Sequence, residues 1–372
     1  MTVYSDPVLL TVNPALPAGT YTIDKTQPTA GTNYASFAAV AQALECGIAG
    51  PVVFNVAGTG PYAEQFILGA IQGSSAINTI TFNGNGNTIA FSSDVTGERA
   101  VIKLRDADHI IFDSLTIDAT GAGTYGFGVH LINNADSNSF NKCTVLANTT
   151  STSTNYGGMV ISASETSATG TGLSLCDGNT FSNNTITGGY YGIALVGGTA
   201  SFNNNNRAIN NHIRDYYGYG VYTAGNRNAV IEGNDISRPT RTTTTTHYGI
   251  HGTGVQNGLK VNANRIHGSF EQLQSSTTVF YGIYFTAMDA DNTTPNVVSN
   301  NLIYDIKSSG TQYGIYNSGA AAAKYYHNTV VLDAADNSET AASFGFYQTL
   351  LAVDIEVKDK KGTENFQLLL GG

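Results

Sequence analysis

The stretch Asn184-Thr-Ile186-Thr-Gly-Gly-Tyr-Tyr191-Gly192-Ile193 contains two short patterns, Asn-x-Ile and Tyr-Gly-Ile, that return together through most of the chain. The first recurs at Asn211/Ile213, Asn234/Ile236, Asn264/Ile266, Asn301/Ile303 and Asn328/Val330, with degenerate earlier copies at Leu115/Ile117 and Cys143/Val145. The second follows each copy, at Gly126-Phe127, Gly158-Met159, Gly192-Ile193, Gly220-Val221, Gly249-Ile250, Gly282-Ile283, Gly314-Ile315 and Gly345-Phe346. A unit of roughly 30 residues is too small to bury its own apolar side chains, so the copies must stack as a solenoid.

Alternation along a strand assigns the faces. Asn184 and Ile186 share one, and since Ile186 requires burial, both point inward. Six Asn then stack at one corner, where each amide can bond to its copy in the next coil. Unpaired, each would cost about 1–3 kcal/mol. Aligning Phe140 with Phe181 puts the Cys143 thiol in the slot of Asn184. The same rule turns Tyr191 inward beside Ile193, with Gly192 and Ala194 outward.

These inward Asn ladders and aliphatic stacks, over residues 75 to 355, resemble the right-handed parallel β-helix of the pectate-lyase-like superfamily. The resemblance implies an all-β, single-stranded right-handed parallel β-helix. It leaves activity open, because that fold serves lyases, hydrolases, tailspikes, adhesins and structural rods. A second likeness lies in Gly19-Thr-Tyr-Thr-Ile23, Phe37-Ala-Ala-Val-Ala-Gln-Ala-Leu44, the run from Cys46 to Val56, and Thr79-Ile-Thr-Phe-Asn83. These resemble the start of β-helix regions in bacterial surface proteins exported by the type IX route, which implies a secreted or cell-surface location.

In chain order, 1–33 reads as an extended lead-in with Pro14, Pro17 and Pro28, and 34–109 as a cap and first coils. Phe37, Val40, Ala41 and Leu44 have helical spacing, which predicts a capping α-helix that shields the open end of the first coil. Regular coils occupy 110–355. Residues 356–372, rich in Lys358, Lys360, Lys361 and acids, read equally as a C-terminal cap or as the start of a further domain of a longer chain. The links from Asn-x-Ile to Gly-Ile lengthen at Ile236–Gly249, Ile266–Gly282 and Val330–Gly345, all on one edge, where they would form a rim. The Thr242–Thr246 run reads as a floppy polar loop in that rim.

The 372 residues are 41% hydrophobic and only 12% charged, with a net charge of −10. Such a chain buries a large core in one elongated domain and has no basic footprint for nucleic acid. No window reaches the roughly 20 apolar residues of a membrane span. Three Cys make no disulfide framework and no zinc motif. Gly58-Thr-Gly60 lacks the helix and acidic partner of a dinucleotide site. His247 and His251, on one strand face, would stand about 13 Å apart, too far for one metal. No metal or other cofactor is expected, with calcium entering only under a lyase reading.

Just after the Asn-x-Ile strand, Arg214, Ser237, His267 and Tyr304 should stack outward, with Asp215, Arg238, Gly268 and Asp305 beside them. A lyase reading would make His267 the base and Arg238 the group that neutralises a uronate. A hydrolase would need carboxylates roughly 5–9.5 Å apart, whereas Asp215 and Asp305 stand about three coils apart. The sharper signal is an outward aromatic line, Tyr222, His251, Tyr284, Tyr316 and Tyr347, on five consecutive coils. The expectation is a non-catalytic extracellular module that adheres to or binds a polysaccharide or cell-surface glycan through this line, with a lyase acting on an acidic glycan as the alternative.

Overall fold

A computed structural model describes residues 14–173, 175–332 and 341–358, and the backbone of the strand Leu369–Leu370. The chain winds through three parallel sheets of 13, 11 and 10 strands, each coil adding one strand to each sheet. This is the right-handed parallel β-solenoid expected, of about 11 turns. The part of 356–372 beyond Lys358, apart from that one strand, lies outside the described residues, as does most of the Val330–Gly345 link.

The Asn-x-Ile strands make the eleven-stranded sheet, and Ile186, Ile213, Ile236, Ile266 and Ile303 are fully buried in register. At the preceding corner Asn184, Asn211, Asn234 and Asn264 are fully buried and Asn301 nearly so. Each donates its Nδ2 to the side-chain oxygen of the next Asn, at 3.0, 2.9, 2.9, 2.9 and 2.9 Å from Asn184 to Asn328. The backbone N–H of each reaches the same oxygen, and its second Nδ2 hydrogen reaches a carbonyl of the preceding coil, as Asn264 does to Ile231. From Asn184 to Asn301 no side-chain amide of this ladder is left orphaned, which is what permits burial. Cys143 occupies the ladder slot, its N–H bonded to Asn184 Oδ1 at 2.8 Å. Burial pushes its thiol up to about 12.

The thirteen-stranded sheet carries a column of interior rings of which the sequence reading singles out only Phe140: Phe54, Phe82, Phe112 and Phe140 stack at 5.1, 4.9 and 4.7 Å. A second, shorter Asn ladder, Asn138, Asn179 and Asn206, lies at its corner. The helix Phe37–Leu44 caps the first coils. Ser36 accepts from the N–H of Ala39, and the Glu64 carboxylate takes the N–H groups of Phe37 and Ala38 at 3.0 and 2.9 Å, filling three of the helix's open donors. Phe37 stands edge-on to Phe66 and Tyr62, closing the apolar interior. The lead-in already holds a coil strand, Gly19–Ile23, paired with Val52–Val56.

The ten-stranded sheet corrects one expectation. Ile193, Val221, Ile250, Ile283 and Ile315 are interior, but Tyr191 and its copies Tyr219, Tyr248, Tyr281 and Tyr313 point outward. Simple alternation fails at the glycine. A Cβ on Gly282 would lie 2.5 Å from the carbonyl oxygen of Gly314 and 2.7 Å from Ile303 Cδ1. Gly and Ile therefore both face inward in succession, and the Tyr before them and the residue after them both face out.

Candidate functional site

That slip of alternation doubles the outward aromatic line. Tyr219, Tyr248, Tyr281, Tyr313 and Phe344 form one column at 4.9, 4.9, 5.0 and 5.1 Å, with interplanar angles of 5°, 8°, 7° and 8°. Tyr222, His251, Tyr284, Tyr316 and Tyr347 form the second, in register coil by coil. Cross-contacts such as Tyr248–His251 at 4.9 Å and Tyr281–Tyr284 at 4.8 Å join the columns into a ribbon. Near-parallel rings at strand spacing cover one another's faces, so the first column offers solvent its edges and phenol oxygens. The second column turns progressively: His251–Tyr284 16°, Tyr284–Tyr316 47°, Tyr316–Tyr347 81°. Tyr222 stands at 81° to Tyr219 and 83° to His251, so crosswise rings without a stacked neighbour close both ends.

His251 is less accessible than expected, 8% exposed, and neither ring nitrogen has a partner. Burial drives it down to about 4. His247 was expected on the same face; it lies instead in the interior, fully buried, because the slip at Gly249 separates the two. Its Nδ1 is 2.9 Å from Arg238 Nη1.

Arg238 is the second correction. It was expected outward, where it could neutralise a uronate, and it is 2% exposed. Its guanidinium donates to the carbonyls of Tyr216 and Thr243 at 2.7 and 2.9 Å. The chain turns into its insertion at this residue, so the strand rule no longer governs it. Arg241, also buried and lowered to about 10 by desolvation, donates to Asp215 O and Thr243 Oγ1. Two inward arginines thus pin the Thr242–Thr246 loop that the sequence suggested was floppy. Its Thr244 Oγ1 also meets Thr278 Oγ1, in the following insertion, at 3.2 Å.

The outward column after the Asn-x-Ile strand does form. Arg214 pairs with Ser237, Ser237 with His267, and His267 stacks on Tyr304 at 4.9 Å and 14°. Arg214, Ser237 and His267 of this column line, with Asp235, Glu271 and Asp305, an open groove of about 420 Å3. Asp235 Oδ1 is 3.0 Å from His267 Nε2, and its other oxygen is 3.5 Å from Arg265. Glu271, in an insertion where no repeat register applies, was not singled out. Lys307 Nζ bridges it at 2.7 Å and Asp305 at 3.5 Å, so these two carboxylates lie far closer together than Asp215 and Asp305 were expected to be.

On the N-terminal half of the ten-stranded sheet's outer face, beyond the ring ribbon, the chain covers itself. Ala100, Phe127, Val160 and Ala194 are fully buried, and Ala168, from the insertion after Tyr156–Ile161, packs into the same cluster. Glu165 anchors that insertion to Lys103 at 2.9 Å and to Arg105. Among the described residues no helix is long and apolar enough to cross a membrane.

No curated protein matches the chain in sequence. Among solved structures it is similar to the DFA-IIIase from Arthrobacter chlorophenolicus A6 in complex with GF2. That match has TM-score 0.53 and 13% identity, over 91% of this chain and 94% of that one. It is also similar to the GH136 lacto-N-biosidase from Eubacterium ramulus, at TM-score 0.54 and 12% identity over 91% of this chain and 67% of that one. Identities this low speak for the fold alone. Residues 161–343 match the family described as right handed beta helix region, and with the coil geometry above this makes the chain a right-handed parallel β-helix protein.

Proposed function

We propose that the chain binds a glycan along the ring ribbon, through Tyr222, His251, Tyr284, Tyr316 and Tyr347 and the adjoining column Tyr219, Tyr248, Tyr281 and Tyr313. The observation that carries this reading is a double row of rings unbroken over five coils, all partly exposed except the buried His251, on a face that the chain covers elsewhere with its own insertion. Phenol oxygens recur once per coil, roughly every 4.8 Å. A polymer of hydroxylated rings laid along the solenoid meets a donor or acceptor at each step. Its apolar faces rest on ring edges and on the crosswise Tyr222 and Tyr347. Such a module works outside the cell or at its surface, as an adhesin or carbohydrate-binding segment.

Glycan-array binding of the wild type tests this against two variants. In Tyr248→Phe/Tyr281→Phe/Tyr313→Phe the stack survives but the hydroxyls are lost, and in Tyr222→Ala/Tyr347→Ala the end rings are removed. Each should weaken binding at least about tenfold, the worth of one or two good contacts. Undiminished binding by both variants would mean that the rings serve only to hold the coils together.

A further inference from the structure

The groove on the eleven-stranded sheet is a different surface from the ribbon, and its side chains are arranged for chemistry. Three successive coils place Arg214, Ser237 and His267 in one outward column. Ser237 is 4% exposed, lines the groove, and its hydroxyl makes no hydrogen bond within the described protein. His267 is held from two directions. Tyr304 lies flat beneath it at 4.9 Å, and Asp235 accepts from Nε2 at 3.0 Å. Tyr304 and Asp235 are themselves tied together by Arg265, which donates to Tyr304 Oη at 2.7 Å and approaches Asp235 at 3.5 Å. With Nε2–H committed to Asp235, the neutral ring carries its lone pair on Nδ1, which has no partner in the described protein.

We infer that Ser237, His267 and Asp235 form a hydrolytic centre for small O-acyl esters, with Ser237 as nucleophile, His267 as general base and Asp235 as the group that positions the imidazole. In this structure Ser237 and His267 are neighbours without a hydrogen bond between them. The hydroxyl is unengaged and its register partner is His267 on the adjacent strand, and catalytic contacts that are long in the free enzyme tighten when substrate binds. Ser237 Oγ adds to the ester carbonyl while its proton passes to His267 Nδ1. The tetrahedral adduct collapses, the alkoxide leaves with that proton, and an acyl-serine remains. Water then adds to the acyl carbon and gives a proton to His267; this second adduct collapses, His267 returns the proton to Ser237 Oγ, and the carboxylic acid departs. Arg214, exposed and one coil before Ser237, is the cation nearest in register to the developing oxyanion. One exposed cation in an open groove suits an ester, whose alkoxide leaves readily, rather than an amide. Glycosidic cleavage is not favoured, because Lys307 engages both neighbouring carboxylates, Glu271 and Asp305.

The full chain, treated with a fluorophosphonate probe and mapped by peptide mass spectrometry, should carry the adduct on Ser237. With p-nitrophenyl acetate and butyrate, Ser237→Ala and His267→Gln should each lower kcat/KM by roughly 1000-fold. Asp235→Asn should lower kcat and move the pH profile while leaving KM near its wild-type value. Ser237→Ala keeps the Cβ and the fold, which a thermal melt confirms. Absence of label on Ser237, or a wild-type rate no higher than that of Ser237→Ala, overturns the assignment. The ring variants of the ribbon should leave labelling unchanged, so failure of one reading does not carry the other with it.

Discussion

Asn264 donates from Nδ2 to the side-chain oxygen of Asn301 at 2.9 Å, and its backbone N–H reaches that same oxygen at 3.0 Å. One acceptor thus fixes both the side chain and the strand that follows it. Asn264→Leu should destabilise the protein by roughly 2–4 kcal/mol, because Asn234 loses the acceptor of two donors and the Ile231 carbonyl loses its own donor. Denaturant unfolding gives the measurement, and an unchanged midpoint would show that the ladder is solvated.

Gly282→Ala should cost about 1–3 kcal/mol. The new methyl would meet the backbone of Gly314, which the following coil holds in place, as well as Ile303. Gly254, with open space around its Cβ position, has a positive φ and is therefore no neutral control. Gly97, with nothing near and no such backbone, is the comparison that should stay within about 0.5 kcal/mol of wild type.

Asp136 is raised to about 6, first by burial and then by Asp108, Asp177 and Asp106. A carboxyl whose folded value exceeds its unfolded 3.8 favours folding in its protonated form. That contribution is complete below pH 4 and lost as pH rises to about 6. Relative to wild type, Asp136→Asn should gain stability over this window and hold the gain above it. About 1–2 kcal/mol remains after allowing for the group's solvent-facing side. Melting curves of the two proteins from pH 3.5 to 8 check the sign, and parallel curves would refute it.

His251 moves the other way. Lowered from 6.5 to about 4 by burial, it stabilises the fold only while neutral, and that stability drains away as pH falls from 6.5 toward 4. His251→Phe keeps a ring in the column and removes two unpartnered nitrogens. It should be more stable than wild type at neutral pH, with an additional advantage of roughly 3 kcal/mol at pH 4. Unfolding at both pH values decides it; an advantage that does not widen at pH 4 would place the imidazole in contact with water.

The ladder was legible because Ile186 and its copies demand burial two residues after each Asn, and a regular strand links the two without ambiguity. The outward Tyr219 column was not legible. The sequence shows Gly220 but not that Gly249 O stands 2.5 Å from where its Cβ would be, and that contact is what breaks the alternation. The column Arg214, Ser237, His267 and Tyr304 was readable for the same reason as the ladder, as a continuation of the same strands. Arg238, one residue further, sits where the chain leaves the sheet, and neither its burial nor the place of Glu271 in the groove follows from any repeat. The interior Phe column was visible only in the single alignment of Phe140 with Phe181. Its earlier members lie in coils whose spacing departs from the repeat.

Every rung from Asn184 to Asn301 points the same way, taking its acceptor from the coil ahead and offering its own oxygen to the coil behind. Any two rungs are therefore interchangeable as junctions. A genetic duplication or excision that begins and ends at equivalent Asn positions leaves each joint with the donor and acceptor it had before, whereas one cut mid-coil strands both. The gene can change the length of the rod in whole turns while the interior chemistry at every surviving joint stays the same.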